Sequence, residues 1–262
     1  MMQRMTISKT LTKGVIFALC VTGATLLNGC SSPISGNRTV DRSAAARARL
    51  TLGLAYLEQD NLKLAYRNIQ RAVRYDPDNY RTHLALALYE QRIGEYDRAR
   101  ESYRLALKRA PKESPALSGY GSFLCELGEY QSANEQFELA LNHTSYDNIA
   151  ESLERAGYCF LKQGRNRRAQ ELISRAVKHD PAKSKYLLAV TEHYLNARQH
   201  EQVAILLDIY QQNSPITAES LWLQIGFARL NQAPDDEQRY GRQLAEHFSQ
   251  SEQYKKFLAN EN

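Results

Sequence analysis

A chain of 262 residues carries 34 basic and 29 acidic side chains, a formal net charge of +5. Three of the basic residues, Arg4, Lys9 and Lys13, fall in the first 29 positions, where no acidic residue occurs. Without that stretch 31 basic residues face 29 acidic ones, a near balance that gives no argument for a nucleic-acid partner.

The first element is an apolar run from Gly14 to Leu27, 14 residues long. A membrane-spanning helix needs roughly 20. A basic start, a short apolar stretch and a small residue before a cut site predict a secretory signal peptide over 1–29. Leu27-Asn28-Gly29-Cys30 resembles the bacterial lipobox, with Asn28 in place of the small or hydroxylated residue usual there. The resemblance implies cleavage before Cys30, diacylglycerol on its sulfur and an acyl chain on its amine. Each buried CH₂ then contributes roughly 0.8 kcal/mol to anchoring. Ser31 follows, not the Asp of inner-membrane retention. By analogy with that sorting rule, a lipid anchor in the outer membrane, periplasmic face, of a Gram-negative bacterium is expected.

Residues 30–45 are expected to be the lipidated cysteine and a tether without helical periodicity. From Ala46 a pattern recurs about every 34 positions. Gly53, Ala87, Gly121 and Gly157 mark one phase, and Ala65, Ala99, Ala133 and Ala169 a second. Ala72, Ala106, Ala140 and Ala176 mark a third, and Pro77, Pro111, Pro181 and Pro215 close units. Small residues let paired helices approach, and proline ends the second helix of a unit. A helix pair cannot bury its apolar face alone, so the units must stack.

This pattern resembles the tetratricopeptide repeat. It implies an all-α, right-handed superhelical solenoid of about six helix-turn-helix repeats over 46–252. The repeats are expected near 46–79, 80–113, 114–147, 150–183, 184–217 and 219–252, with a two-residue insertion between the third and fourth. Residues 253–262 are expected to be a C-terminal tail.

No catalytic, cofactor or metal site is predicted. His83, His143, His179, His193, His200 and His247 form no paired ligand set, and solvated or half-packed rings are expected. No glycine-rich phosphate loop or nucleophile motif occurs. Arg165, Arg167 and Arg168 are expected on a solvated face.

The expected functional surface is the groove lined by first helices. Projection of the repeat phase places there Leu50, Leu54, Leu57 and Glu58, then Leu84, Leu88, Gln91 and Arg92. Ser118, Ser122 and Glu126 follow, then Tyr158 and Lys162. The five leucines make an apolar strip suited to a helix or extended peptide, unless an N-terminal tail or neighbouring helix covers them. The basic and amide pattern that clamps a C-terminal carboxylate is absent. Of four cysteines, Cys20 leaves with the signal and Cys30 takes the lipid. Cys125 and Cys159 remain, on first helices of consecutive units. A disulfide between them is favoured over two reduced core thiols in an exported protein. By loop entropy it would contribute roughly 3–4 kcal/mol.

Three stretches go beyond a generic repeat: 52–57 (LGLAYL) leading into 68–72 (NIQRA), 120–125 (YGSFLC) and 154–159 (ERAGYC). With the lipobox, the insertion before unit four and the closing segment 240–244, they resemble the PilF/PilW family of type IV pilus biogenesis and stability lipoproteins. That resemblance implies a monomeric outer-membrane pilotin whose partners are the secretin and, through acylated Cys30, the membrane lipid. Secretin subunits expose apolar segments and sheet edges before assembly, and a tethered groove could hold one near its target bilayer. The alternative is a periplasmic scaffold lipoprotein that recruits cell-wall hydrolases, a protease or barrel-assembly components.

Overall fold

A computed structural model describes residues 41–143, 145 and 148–261, with the side chains of 260 and 261 left aside. The signal segment, Cys30 and most of the expected tether lie outside the described residues.

The described chain is a stack of thirteen helices, without a strand among those residues. They are α1 Arg42–Glu58, α2 Leu62–Tyr75, α3 Tyr80–Arg92, α4 Tyr96–Arg109, α5 Ser114–Glu126, α6 Tyr130–His143 and α7 Ile149–Lys162. α8 Asn166–His179, α9 Lys183–Asn196, α10 His200–Asn213, α11 Ala218–Leu230, α12 Pro234–Phe248 and α13 Glu252–Glu261 follow. Each odd-numbered helix up to α11 packs on the even one after it, and α1 touches α3, α3 touches α5 and α5 touches α7. The first helices of successive units therefore line one face of the stack.

Every one of the six units turns in the same way. The residue two places beyond each first helix has positive φ: Asp60, Gly94, Gly128, Gly164, Arg198 and Gln232. The next N–H then reaches back five residues, as in Glu129 to the Leu124 carbonyl at 2.9 Å and Gln199 to Tyr194 at 3.0 Å. This satisfies a carbonyl that the helix end would leave bare. Asp76-Pro77 and Asp180-Pro181 end second helices, because proline biases its predecessor out of the helical region.

Small residues set the helix spacing. A Cβ on Gly53 would lie 2.7 Å from Ile69 Cγ1, and one on Gly157 would lie 2.6 Å from Ile173 Cγ1. Ala65, Ala72, Ala99, Ala106, Ala133, Ala140, Ala169 and Ala176 are all fully buried. One core runs from Ala87 to Leu223, and a second holds Leu221, Ile225, Leu244 and Phe257.

Three expectations need correction. Residues 253–262 are not a plain tail: through Glu261 they continue α13, whose Phe257 is buried. The last unit has no successor, so this helix covers apolar surface that a further repeat would have covered. Helix α1 starts before Ala46, because the Asp41 carboxylate accepts the Ala44 N–H at 3.0 Å and an alanine run follows. His83 is buried, not half-packed; its Nε2 donates to the Pro77 carbonyl at 2.6 Å and ties α3 to the turn before it.

Candidate functional site

The face built from first helices carries two cavities. The larger, of about 690 Å³, is lined by α5, α7, α9 and the turn before α9. The smaller, of about 260 Å³, is lined by Leu54 of α1, Leu84, Ala85 and Leu88 of α3 and Pro115 of α5, with Tyr80, Arg81 and Glu113 at hand. Both cavities touch α5, at Ser122 and at Pro115. Seven residues of helix separate these positions, about 10 Å at 1.5 Å per residue.

The wall of the larger cavity is fixed by a covalent bond. Cys125 of α5 and Cys159 of α7 form a disulfide with a Cα–Cα distance of 6.0 Å. Gln163, one turn beyond Cys159, donates to its carbonyl and its sulfur, each at 3.2 Å. The same amide exchanges hydrogen bonds with Asn134 of α6 at 3.1 and 3.2 Å, which holds the α6–α7 register.

Charge in this cavity is mixed and mostly compensated. Lys183 Nζ donates to Glu154 Oε2 at 2.7 Å, joining α9 to α7. Burial raises the Glu154 pKa, and Lys183 only partly opposes it. Arg155 pairs with Glu151 at 2.6 Å, one turn earlier. Tyr158 differs from these. Its ring meets Tyr186 edge-on at 5.6 Å, and its hydroxyl is buried without a hydrogen-bond partner. Burial pushes that hydroxyl well above the usual phenol range, so it stays a neutral donor. A buried donor without an acceptor is costly.

The smaller cavity is apolar inside and polar at its edge. Tyr80 Oη donates to Glu113 at 2.9 Å and accepts from Arg81 Nε at 3.1 Å. Burial is the main cause that raises the Tyr80 pKa.

The groove residues expected from the repeat phase divide. Leu54, Leu84 and Leu88 come together in the smaller cavity, and Ser122 and Tyr158 line the larger one. Leu50 is half-buried on α1 and lines neither. Leu57 is buried, at 7% exposure, and lines neither cavity. Arg92 lines neither cavity and pairs with Asp60 at 3.4 Å across the first two units. Glu154, Lys183, Tyr186 and Tyr194 escaped the sequence reading. The phase of the weak fifth unit, extended from Tyr158, would have pointed to α9. Among the described residues no group of three or more His, Cys, Asp or Glu is placed to hold a metal ion.

A tetratricopeptide-repeat family model matches residues 50–114 and 84–148. A Haemophilus influenzae protein is 33% identical over 154 residues, covering 59% of this chain and 81% of that protein. The type IV pilus assembly protein PilF of Pseudomonas aeruginosa is 27% identical over 252 residues, 95% of this chain and 99% of PilF. The chain belongs to the PilF family of tetratricopeptide-repeat proteins. The solved structure of Pseudomonas aeruginosa PilF superposes with a TM-score of 0.57 at 27% identity, over 84% of this chain and 99% of that one. PilW, described as a widely conserved type IV pilus biogenesis factor, has the same fold, with a TM-score of 0.57 at 24% identity over 81% of this chain and 98% of its own. The match to PilF runs nearly end to end, so both cavities lie within the segment this family shares.

Proposed function

We propose that the protein serves type IV pilus biogenesis as an outer-membrane lipoprotein, a pilotin that binds the secretin and promotes its localisation and multimerisation. The end-to-end relationship to PilF supports the pathway. The observation that carries the binding role is the pair of cavities joined along α5. The first offers an apolar socket of Leu54, Leu84 and Leu88. The second offers an unpartnered Tyr158 hydroxyl among compensated charges.

An extended or helical segment laid along α5 would put an apolar side chain in the socket and polar groups beside the paired charges of the larger cavity. The disulfide keeps α5 and α7 in fixed relation, so binding need not order that wall. A lipid on Cys30 would supply the destination and raise the local concentration of the complex at the bilayer. Among the described residues no helix is long and apolar enough to cross a membrane.

The test is Leu54→Asp with Leu88→Asp in cells, with secretin multimers read on a gel and circular dichroism on the purified variant. A charge in the socket must be desolvated when an apolar ligand docks but stays in water in the free protein. Lost multimers with an unchanged spectrum are expected. Normal multimers with an unchanged spectrum would overturn the docking surface. Capture of cell-wall hydrolases in place of secretin by the unaltered protein would overturn the partner.

A further inference from the structure

The first unit carries a second surface, on the outer side of α2 and away from both cavities. Arg67, Arg71 and Arg74 follow at spacings of four and three, so they share one helix face. Arg42, the first residue of α1, joins Arg71, Arg74 and Tyr75 around a depression of about 540 Å³. A neighbouring depression of about 260 Å³ is lined by Tyr66, Arg67, Gln70, Arg71 and Arg74.

These guanidinium groups are not balanced locally. Residues 41–79 hold five acidic side chains, and four are occupied elsewhere. Asp41 caps α1 through the Ala44 N–H, and Asp60 pairs with Arg92. Asp76 accepts from Asn79, and Asp78 pairs with Arg109 of α4 at 2.8 Å. Among the described residues no carboxylate pairs with Arg42, Arg67, Arg71 or Arg74. Like charges gathered around an open depression repel one another unless an anion sits there.

We propose that this arginine face binds the anionic phosphate headgroups of a phospholipid bilayer and lays the first unit on the membrane surface. Three observations choose this occupant. The charge is complementary to phosphate, and arginine forks onto phosphate oxygens with two parallel hydrogen bonds. The face includes the first residue of α1, twelve positions after Cys30. Twelve residues reach at most about 40 Å, so a lipid on Cys30 would keep the face near the bilayer. Tyr66 and Tyr75 flank the arginines and are 46% and 37% exposed. Such amphipathic rings suit the headgroup level. Basic residues at the headgroup level would add to the hold of the acyl chains on Cys30 and set how the first unit lies on the bilayer. With α2 on the membrane, the cavities on the first-helix face would remain open to a partner.

The test uses the chain from Ser31 onward, which holds every described core residue. It lacks the lipid, so its result does not depend on the anchor or on the secretin. Cosedimentation with phosphatidylglycerol vesicles is expected, falling with salt, and none with phosphatidylcholine vesicles. Arg67→Gln, Arg71→Gln and Arg74→Gln combined should weaken binding about a hundredfold, and Arg42→Gln alone about fivefold. Arg167→Gln, Lys178→Gln and Lys185→Gln combined remove the same charge elsewhere and should leave binding nearly unchanged. An unchanged melting transition certifies the fold of each variant. Failure to sediment with phosphatidylglycerol vesicles, or an equal loss in both triple variants, would overturn the proposal. Capture of an acidic protein by this face without vesicle binding would do the same.

Discussion

Phe257 of α13 lies so close over Gly241 of α12 that a Cβ on the glycine would stand 2.3 Å from the ring's Cζ. The ring also joins Leu221, Ile225 and Leu244, a small core separate from the main one. The solenoid's end is therefore closed by one aromatic side chain set against one missing side chain.

Phe257→Ala should destabilise the C-terminal core by roughly 3–5 kcal/mol, the range for deleting a buried aromatic ring. Hydrogen exchange should show amides of α11 and α12 losing protection while those of α5 and α7 keep theirs, since the two cores are distinct. Uniform loss of protection would show a single cooperative unit instead.

The six equivalent turns give an internal comparison. Gly94, Gly128 and Gly164 adopt the left-handed conformation at φ of 79°, 78° and 71°, whereas Arg198 and Gln232 hold φ of 55°. A side chain costs roughly 1–2 kcal/mol there. Arg198→Gly and Gln232→Gly should each stabilise, by about 0.5–1 kcal/mol after the entropy that glycine adds to the unfolded chain. Gly128→Ala should destabilise by a similar amount, and by backbone strain alone, because nothing lies within 4 Å of the added Cβ. Urea midpoints of the three variants decide this, and a destabilised Gln232→Gly would refute the strain account.

Reduction of the Cys125–Cys159 bond opens a loop of sequence separation 34. By loop entropy the loss is roughly 3–4 kcal/mol. The thermal transition should fall by several degrees in reductant. Thiol titration of the unfolded, unreduced protein should find neither cysteine free. A transition that reductant leaves unmoved would mean the bond constrains little.

Burial lifts the folded pKa of Glu154 above its ordinary value. A carboxyl with a raised folded pKa binds its proton more tightly in the native state. Its contribution to stability is then fullest below the unfolded pKa, near 4.3. It declines as pH rises from there through the folded value. The stability of the native protein relative to Glu154→Gln should fall across that interval. Carboxyl NMR should place the Glu154 midpoint above that of exposed glutamates. A difference that is flat or rises with pH would show that Lys183 outweighs the burial.

The repeat itself was legible because it is written in short-range chemistry. Ala65, Ala72, Gly53 and Pro77 recur at fixed phase, and each acts within one helix pair or one turn. The groove was legible in part. Leu54, Leu84 and Leu88 met where the phase placed them, whereas Leu57 is buried. Leu54 and Leu57 are one turn apart on α1, and how much of each is covered depends on how α2 and α3 pack against that helix. The C-terminal helix escaped because residues 253–262 lack the repeat's small residues, and only the open end of unit six gives them a partner.

The repeat period and the family were therefore determined by the amino-acid sequence, through spacing, backbone preference and residue size. Which charges cancel was decided by the tertiary structure alone. Glu154 finds Lys183 across a unit boundary, Asp60 finds Arg92 and Asp78 finds Arg109, while the arginines of α2 find no carboxylate among the described residues. The Tyr158 hydroxyl is stranded by the same stacking of helices around it. These three pairs lie about 30 residues apart along the chain, and stacking brings them within a few ångströms. Composition counts such groups without showing which of them meet.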